Sequence, residues 1–165
     1  MVFSSGDILG ILHSDDVFYS KSILSEVAAA LKRKKYDVLY GNILYCEKNN
    51  LLNIKRDWSK IKLKNKFDLP PHTSLFLRKK IFDNLKFDKK YIISSDTDFL
   101  LKLFRKNIQS FYLNKYITIM RMGGISTKLS FFIKKFSEDI KIFYNNQLSI
   151  FHYFKKLFFK LSQII

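Results

Sequence analysis

Residues 6–16 read GDILGILHSDD, and this stretch decides the fold that we expect for the chain. Five of the six residues from Ile8 to His13 are apolar or glycine, which is typical of a buried parallel strand. Two adjacent carboxylates, Asp15 and Asp16, follow the strand. Ligands of open α/β sheets bind outside the carboxyl ends of strands, and carboxylate oxygens suit Mg²⁺ or Mn²⁺. The stretch therefore predicts an α/β fold with a cation site at a sheet edge, unless Asp16 caps a helix around residues 20–31.

Composition limits the classes of function that fit the chain. At 165 residues it is long enough for one domain with a core, and 30 basic residues against 14 acidic ones give a net charge of +16. This charge favours an anionic partner, which can be nucleic acid, an anionic membrane or a phosphorylated substrate. The single cysteine, Cys46, excludes an internal disulfide. The sequence has no apolar run of about 20 residues and no signal-type N-terminus, so we expect a cytoplasmic location.

Hydrophobic periodicity predicts alternating strands and helices. The last stretch differs, because Phe151, Phe154 and Phe158 share one face of a helix while Lys155 and Lys156 lie elsewhere. Such a basic amphipathic helix either lies on a membrane surface or packs on the core of its own domain. Residues 53–68 are predicted to be irregular and basic. The pattern predicts helices over 21–35, 79–84, 95–104 and 150–165, and strands over 7–13, 37–41 with a continuation over 43–46, 74–77, 108–112 and 116–120.

Three further motifs carry residues that can do chemistry. Asp96 and Asp98 open a predicted helix, but residues two apart point about 200° away from each other, so they cannot serve one site. Two prolines stiffen the chain before His72, which either holds a ligand or is an exposed turn residue. Residues 121–126 read RMGGIS and offer a cation with free backbone N–H groups, a combination that binds phosphate.

Taken in order, the motifs resemble the family 2 glycosyltransferases, in particular the bacterial branch that builds colanic-acid-type exopolysaccharide and O-antigen. The resemblance runs from about residue 4 to the C-terminus, and it depends on the order and spacing of the motifs rather than on any one of them. The motifs are residues 6–16, Tyr40-Gly41-Asn42, Arg56-Asp57-Trp58, Pro70-Pro71-His72, Phe87-Asp88 with Tyr91, Ser95-Asp96-Thr97-Asp98 and residues 121–126.

The resemblance implies a truncated GT-A fold, which is a Rossmann-like mixed sheet flanked by helices. It also implies that the protein binds Mg²⁺ or Mn²⁺ and that its reaction inverts the configuration at the anomeric carbon of the sugar. It implies a nucleotide-diphosphate sugar as donor and a lipid-linked surface polysaccharide as acceptor. The charge of +16 suits these ligands and the anionic inner face of a cell membrane. The basic residues are dispersed and no nucleic-acid motif is present, so we expect no nucleic acid as partner. Asp15 matches the final acid of the metal-binding motif, with Asp16 beside it, and Asp96 matches the catalytic base. The remaining positions that match the donor and acceptor site are His72, Arg121, Gly123, Gly124 and Ser126.

The sequence also departs from this family. His13 stands where the branch usually has Asn or Asp, and Asn42 stands where Asp is common. The N-terminal part that binds the nucleotide base and ribose has no counterpart before Met1. We therefore expect residues 1–127 to be the C-terminal part of a GT-A domain and 128–165 a basic amphipathic tail, and we expect the chain alone not to transfer sugar. The alternatives are a catalytically inactive remnant and a basic module that binds membrane or nucleic acid without chemistry.

Overall fold

The computed structural model describes residues 4–33, 36–59, 68–123, 129–149, 151–154 and 158. They form a mixed sheet with helices on both of its faces, which confirms the α/β fold class and the flanked mixed sheet. In chain order the elements are β1 (Ile8–Gly10), β2 (Val17–Phe18), α1 (Ile23–Arg33), β3 (Val38–Glu47), β4 (Asn50–Trp58), a 3-10 turn (His72–Ser74), β5 (Phe76–Arg78), α2 (Lys79–Asp83), α3 (Ser95–Arg105), β6 (Ser110–Arg121) and α4 (Leu129–Asn145).

The long strand β3 is the centre of the sheet. It runs parallel to β6 along one edge, and its other edge pairs antiparallel with β5 near its start and with β4 near its end. β1 lies antiparallel to β5, so the strands have the order β1-β5-β3-β6-β2. Since β5 is antiparallel to both β1 and β3, these two strands run in the same direction, and β6 runs parallel to β3. The carboxyl ends of β1, β3 and β6 therefore lie at one end of the sheet. This end is where the polar residues of the site gather.

Alternation along β3 places one helix on each face of the sheet. Val38 and Tyr40 pack in a cluster with α3, whereas Leu39 packs in a cluster with α1. The opposite directions of successive side chains in a strand produce this division. A Cβ on Gly41 would lie 2.8 Å from the backbone oxygen of Lys115, so only glycine lets β3 and β6 approach this closely.

Three predicted elements differ from the structure. The strand predicted over 7–13 is only the three-residue β1, and it pairs antiparallel with β5. Leu9 is buried in β1, whereas Leu12 beyond it is 40% exposed because the chain has left the sheet. Of the stretch predicted to be irregular, residues 53–58 belong to β4, which forms a hairpin with β3. The two strands predicted over 108–120 are the single strand β6, because Asn114 and Lys115 are the extra residues of a bulge in β6 between Leu113 and Tyr116 and do not form a turn.

The helix α4 is joined to the rest of the domain by an apolar cluster. Ile142 and Phe143 of α4 pack with Leu101 of α3 and with Tyr91 in the preceding loop. Tyr153 belongs to the same cluster and is buried, while its neighbours Phe151 and Phe154 are exposed. The first part of the predicted tail therefore packs on the domain, and the aromatic residues beyond it face outward. No helix in the described part of the chain is both long and apolar enough to cross a membrane.

Candidate active site

The turn after β1 and the last residue of β6 meet at the carboxyl end of the sheet. Arg121 closes β6, and its guanidinium donates from Nε to the backbone oxygen of Asp15 at 2.8 Å and from Nη1 to that of Lys48 at 2.8 Å. One side chain thus ties the acidic turn to the β3–β4 turn. Gly123 follows with a φ of 114°, a left-handed conformation that favours glycine. Arg121 was predicted to bind phosphate, and here it holds the acidic turn in place.

Asp16 is a buried carboxylate at the centre of this turn. It is 7% exposed, and its Oδ1 accepts a hydrogen bond from the backbone N–H of Arg121 at 3.1 Å. Its Oδ2 is buried and has no hydrogen-bond partner among the residues that the structure describes. Burial raises the pKa of Asp16 and Asp15 adds to the rise, while the Arg121 N–H and the two histidines His13 and His72 oppose it. Asp16 does not cap α1, so that alternative interpretation is wrong.

A row of three polar side chains crosses the site. His72 Nδ1 lies 3.1 Å from Asp96 Oδ2, and His72 Nε2 lies 2.8 Å from His13 Nε2. The two imidazole rings meet edge to face with their centroids 5.1 Å apart. Either imidazole can carry the proton between the two Nε2 atoms, and His72 is ready to donate from Nδ1 to the Asp96 carboxylate. The row joins the turn after β1, the 3-10 turn after the prolines and the first turn of α3.

Asp96 and Asp98 have different partners, as their spacing predicts. Asp96 Oδ1 accepts a hydrogen bond from the backbone N–H of Thr97, and about a third of its side chain is exposed in the site. Asp98 is buried and bonds to Nζ of Lys102 at 2.6 Å, one helical turn along α3. Asp98 therefore has a structural partner, and Asp96 is the acid that faces the histidines.

The β3–β4 hairpin adds a tyrosine and an arginine that the sequence analysis did not assign to the site. The Arg56 guanidinium lies over the Tyr45 ring, 4.6 Å from its centroid, and 5.1 Å from the centroid of the Trp58 ring. Burial raises the pKa of Tyr45 to about 12, with Arg56 opposing the rise and with Asp96 and Asp16 adding to it. Two of the site's acids, Asp16 and Asp96, thus act on this phenol. The alternation along β4 was the available signal, but the basic composition of the stretch obscured it.

The structure brings most of the predicted site residues together. Asp15, Asp16, His72, Asp96 and Arg121 gather at one end of the sheet, and Gly123 follows directly on Arg121. His13, which the sequence marked only as a departure from the family, lies between the acidic turn and His72. Phe151, Phe154 and Phe158 are exposed at 75%, 54% and 73%. The predicted residues Gly124, Ser126, Lys155 and Lys156 lie outside the described residues.

The residues present fit a divalent cation only in part. In the described ranges, no three His, Cys, Asp or Glu side chains are grouped to hold a metal by themselves. The unpartnered Oδ2 of Asp16 and the adjacent carboxylate of Asp15 are nevertheless oxygen ligands of the kind that Mg²⁺ and Mn²⁺ take. Such a pair fits an ion that completes its shell with the phosphate oxygens of a substrate.

The structure is an α/β fold whose polar residues gather at the carboxyl ends of its strands, where such folds bind ligands. Comparisons with known proteins indicate which kind of α/β protein it resembles. The chain is 24% identical over 170 aligned positions to a protein of Methanocaldococcus jannaschii named as an uncharacterized glycosyltransferase; the match covers 93% of this chain and 57% of the relative. The chain therefore spans little more than half the length of the relative. No family model matches the chain.

Solved structures give a second comparison. The fold is similar to that of S. aureus TarS residues 1–349, with a TM-score of 0.53 and 19% identity over 73% of this chain and 37% of that one. A second structure of the same TarS region, in complex with UDP, matches with the same TM-score and 18% identity. The sequence resemblance is thus to a glycosyltransferase and the structural likeness is one of fold. The resemblance to glycosyltransferases is confirmed, while the colanic-acid and O-antigen branch stays a prediction.

Proposed function

We propose that the chain carries the metal-binding and acceptor-activating part of a glycosyltransferase that uses a nucleotide-diphosphate sugar. The observation that supports this most is the convergence of His13, Asp16, His72 and Asp96, from three segments far apart in the sequence, at one end of the sheet. The archaeal relative is named as an uncharacterized glycosyltransferase, and one structural neighbour was solved with UDP. A uridine-diphosphate sugar is therefore the first donor to test.

Asp96 is the proposed general base. It takes the proton of an acceptor hydroxyl while the hydroxyl oxygen attacks the anomeric carbon of the donor sugar. The bond from that carbon to the diphosphate oxygen breaks on the opposite face, the bonding electrons leave with the diphosphate, and the configuration inverts. His72 orients the carboxylate through its contact with Asp96 Oδ2. The second oxygen of Asp96 stays held by the Thr97 N–H during the step.

Asp15 and Asp16 are the proposed ligands of Mg²⁺ or Mn²⁺. When bound, the cation neutralises charge on the leaving diphosphate. The chain holds the pair in place through Arg121, whose guanidinium fixes the Asp15 carbonyl and whose backbone N–H fixes Asp16 Oδ1. The buried Oδ2 of Asp16 carries a cost of burial that a bound cation relieves.

Binding of Mn²⁺ and UDP tests the proposed cation site. Calorimetry of the wild-type protein with Mn²⁺ should show weak binding alone and tighter binding when UDP is present, because two carboxylates make an incomplete shell. Asp15→Ala should lose most of the UDP-dependent heat. Asp83→Ala is the matched control, since Asp83 is an exposed acid in α2. Equal binding by wild type and Asp15→Ala would reject the assignment.

A lipid-linked acceptor and a peripheral position on an anionic membrane are part of the same proposal. The exposed aromatic side chains Phe151, Phe154 and Phe158 and the exposed Ile133 of α4 lie on the C-terminal part of a chain with a net charge of +16. Exposed apolar side chains on a basic surface favour the headgroup region of anionic lipid. This arrangement would bring the site close to an acceptor that is held in the membrane.

A further inference from the structure

The loop that leads into α3 is held by one carboxylate from α4. Glu138 accepts three backbone hydrogen bonds: Oε1 from the N–H of Ile92 at 3.1 Å, and Oε2 from those of Ile93 and Ser94 at 2.9 Å each. The Glu138 side chain is buried, with 7% exposure of the residue. Burial alone would raise its pKa, but the three backbone donors outweigh burial and lower it. The carboxylate is thus ionised and engaged on both of its oxygens.

This loop ends two residues before the proposed base. Ser94 is fully buried, and its backbone oxygen accepts from the N–H of Asp98, so it begins the first turn of α3. Its hydroxyl makes no cap to the helix among the described residues and instead accepts from Nζ of Lys135, in the turn of α4 before Glu138. Farther along α4, Asn145 donates to the Tyr91 hydroxyl at 3.0 Å. The helix therefore fixes the loop from Tyr91 to Ser94 at both ends.

We propose that Glu138 is a positioning residue that sets the place of Asp96 against His72. This inference rests on the proposed function in that Asp96 is taken as the base, but the geometry that it predicts exists without substrate. Ser94 is fully buried, so its backbone N–H needs an acceptor, and the carboxylate offers enough lone pairs for the partly buried N–H groups of Ile92 and Ile93 as well. Moving this loop moves the first turn of α3, and with it the Asp96 oxygen that lies 3.1 Å from His72 Nδ1.

The inference gives α4 a role in the chemistry of the site. A displacement of about 1 Å at a catalytic group can lower a rate on the order of 100-fold, so a distant helix that fixes the group acts on turnover. Glu138→Gln is the variant of choice. It keeps the shape of the side chain but replaces one acceptor oxygen with an NH₂ donor, which faces one or two N–H donors of the loop.

The test uses the imidazole ¹⁵N resonances of His72 in the full chain at a fixed pH, assigned with His72→Gln. Asp96→Asn supplies the reference, because it removes the carboxylate from Nδ1 and should move the His72 resonances. Glu138→Gln should move them in the direction of the Asp96→Asn spectrum. Ile142→Val is the control: Ile142 is fully buried in α4, packs in the cluster with Leu101 of α3, has no hydrogen-bonding group in its side chain, and should leave the His72 resonances unchanged.

The proposal is overturned if Glu138→Gln shifts the amide signals of residues 92–94 but leaves His72 at its wild-type position. It is also overturned if Ile142→Val moves His72 as far as Glu138→Gln does, since the effect would then be a general loss of packing. If Glu138→Gln does not fold, Glu138→Asp keeps the charge and withdraws it by one methylene, and a smaller His72 shift in the same direction is expected. No substrate enters this experiment, so its failure is separate from a failure to find sugar transfer.

Discussion

Side chains two residues apart in α3 have different roles because their partners differ. Asp96 faces His72 in the site, while Asp98 is buried against Lys102. An exposed carboxylate beside an imidazole can exchange protons with a substrate. A carboxylate that is 1% exposed and bonded to a lysine at 2.6 Å supports the helix instead. The two acids therefore allow a matched comparison of chemistry with stability.

Asp96→Asn should remove most turnover, because general-base catalysis contributes about 10²–10⁴-fold. Binding of Mn²⁺ with UDP should stay close to wild type, since Asp96 is not among the proposed cation ligands. Asp98→Asn should instead lower the midpoint of urea unfolding, because it weakens a buried ion pair with Lys102. Steady-state transfer from a panel of UDP- and GDP-sugars, by a version of the chain joined to an N-terminal nucleotide-binding half, measures the loss of turnover, and urea melts measure the loss of stability. A larger loss of turnover in Asp98→Asn than in Asp96→Asn would show that the base is misplaced.

At the scale of elements, α4 is fixed to the loop before α3 by charge as well as by apolar packing. The pKa of Glu138 is lower in the folded protein than its usual value of 4.5. A carboxyl group with a lowered folded pKa contributes stability that is fully present above its unfolded pKa and is lost as the pH falls through its folded pKa. The Glu138 contribution is therefore complete at pH 7 and declines below about pH 4.5.

Glu138→Gln should cost about 1–3 kcal/mol of the free energy of unfolding at pH 7, the usual effect of leaving buried donors unsatisfied. The difference in the free energy of unfolding between wild type and Glu138→Gln should shrink as the pH is lowered below 4.5, because the wild-type carboxylate then becomes protonated and neutral. Urea unfolding at pH 7 and at several pH values below 4.5 measures this. A difference that stays constant across this range would mean that the charge of Glu138 does not stabilise the loop.

The elements show which parts of the fold the sequence could predict. The bounds of helices α1 and α3 were predicted to within two residues at both ends, because their apolar residues recur at helical spacing. The short strand β2 was not, because its two apolar residues carry little periodic signal, and the hairpin strand β4 was not, because the stretch after residue 53 is basic. β2 also depends on its pairing with β6, which is about 100 residues away in the sequence.

The candidate site was likewise predictable from the sequence only in part. Asp15, Asp16 and Asp96 could be predicted because they lie at the ends of recognisable elements and match a family motif. The contact of His13 with His72, across 59 residues, could not be predicted, because nothing local indicates it. Glu138 gave still less signal, since an acid beside a second acid in a helix with three lysines suggests an exposed residue rather than a buried acceptor for three N–H groups.

At the scale of the whole molecule, charge and apolar exposure occur together near the C-terminus. Residues 128–165 carry seven lysines against two acids, and the helical residues 151–154 present the exposed Phe151 and Phe154 on either side of the buried Tyr153. Tyr153 packs on Phe143 of α4 and thereby fixes the orientation of its neighbours. Apolar side chains held outward on a basic surface are suited to insertion between anionic headgroups.

The double variant Phe154→Glu/Phe158→Glu should lower binding of the protein to phosphatidylglycerol vesicles, because it removes two apolar contacts and adds charges that anionic lipid repels. Co-sedimentation at low salt measures it, and wild-type protein should be released at about 1 M salt, where the screening length falls to about 3 Å. Leu52→Glu is the control, since Leu52 is 92% exposed in the β3–β4 hairpin, away from this surface. Equal pelleting of the double variant and wild type would assign these aromatic residues to a protein contact instead. If pelleting requires both the two phenylalanines and low salt, apolar insertion and charge act together in membrane binding. A basic composition alone would require only low salt.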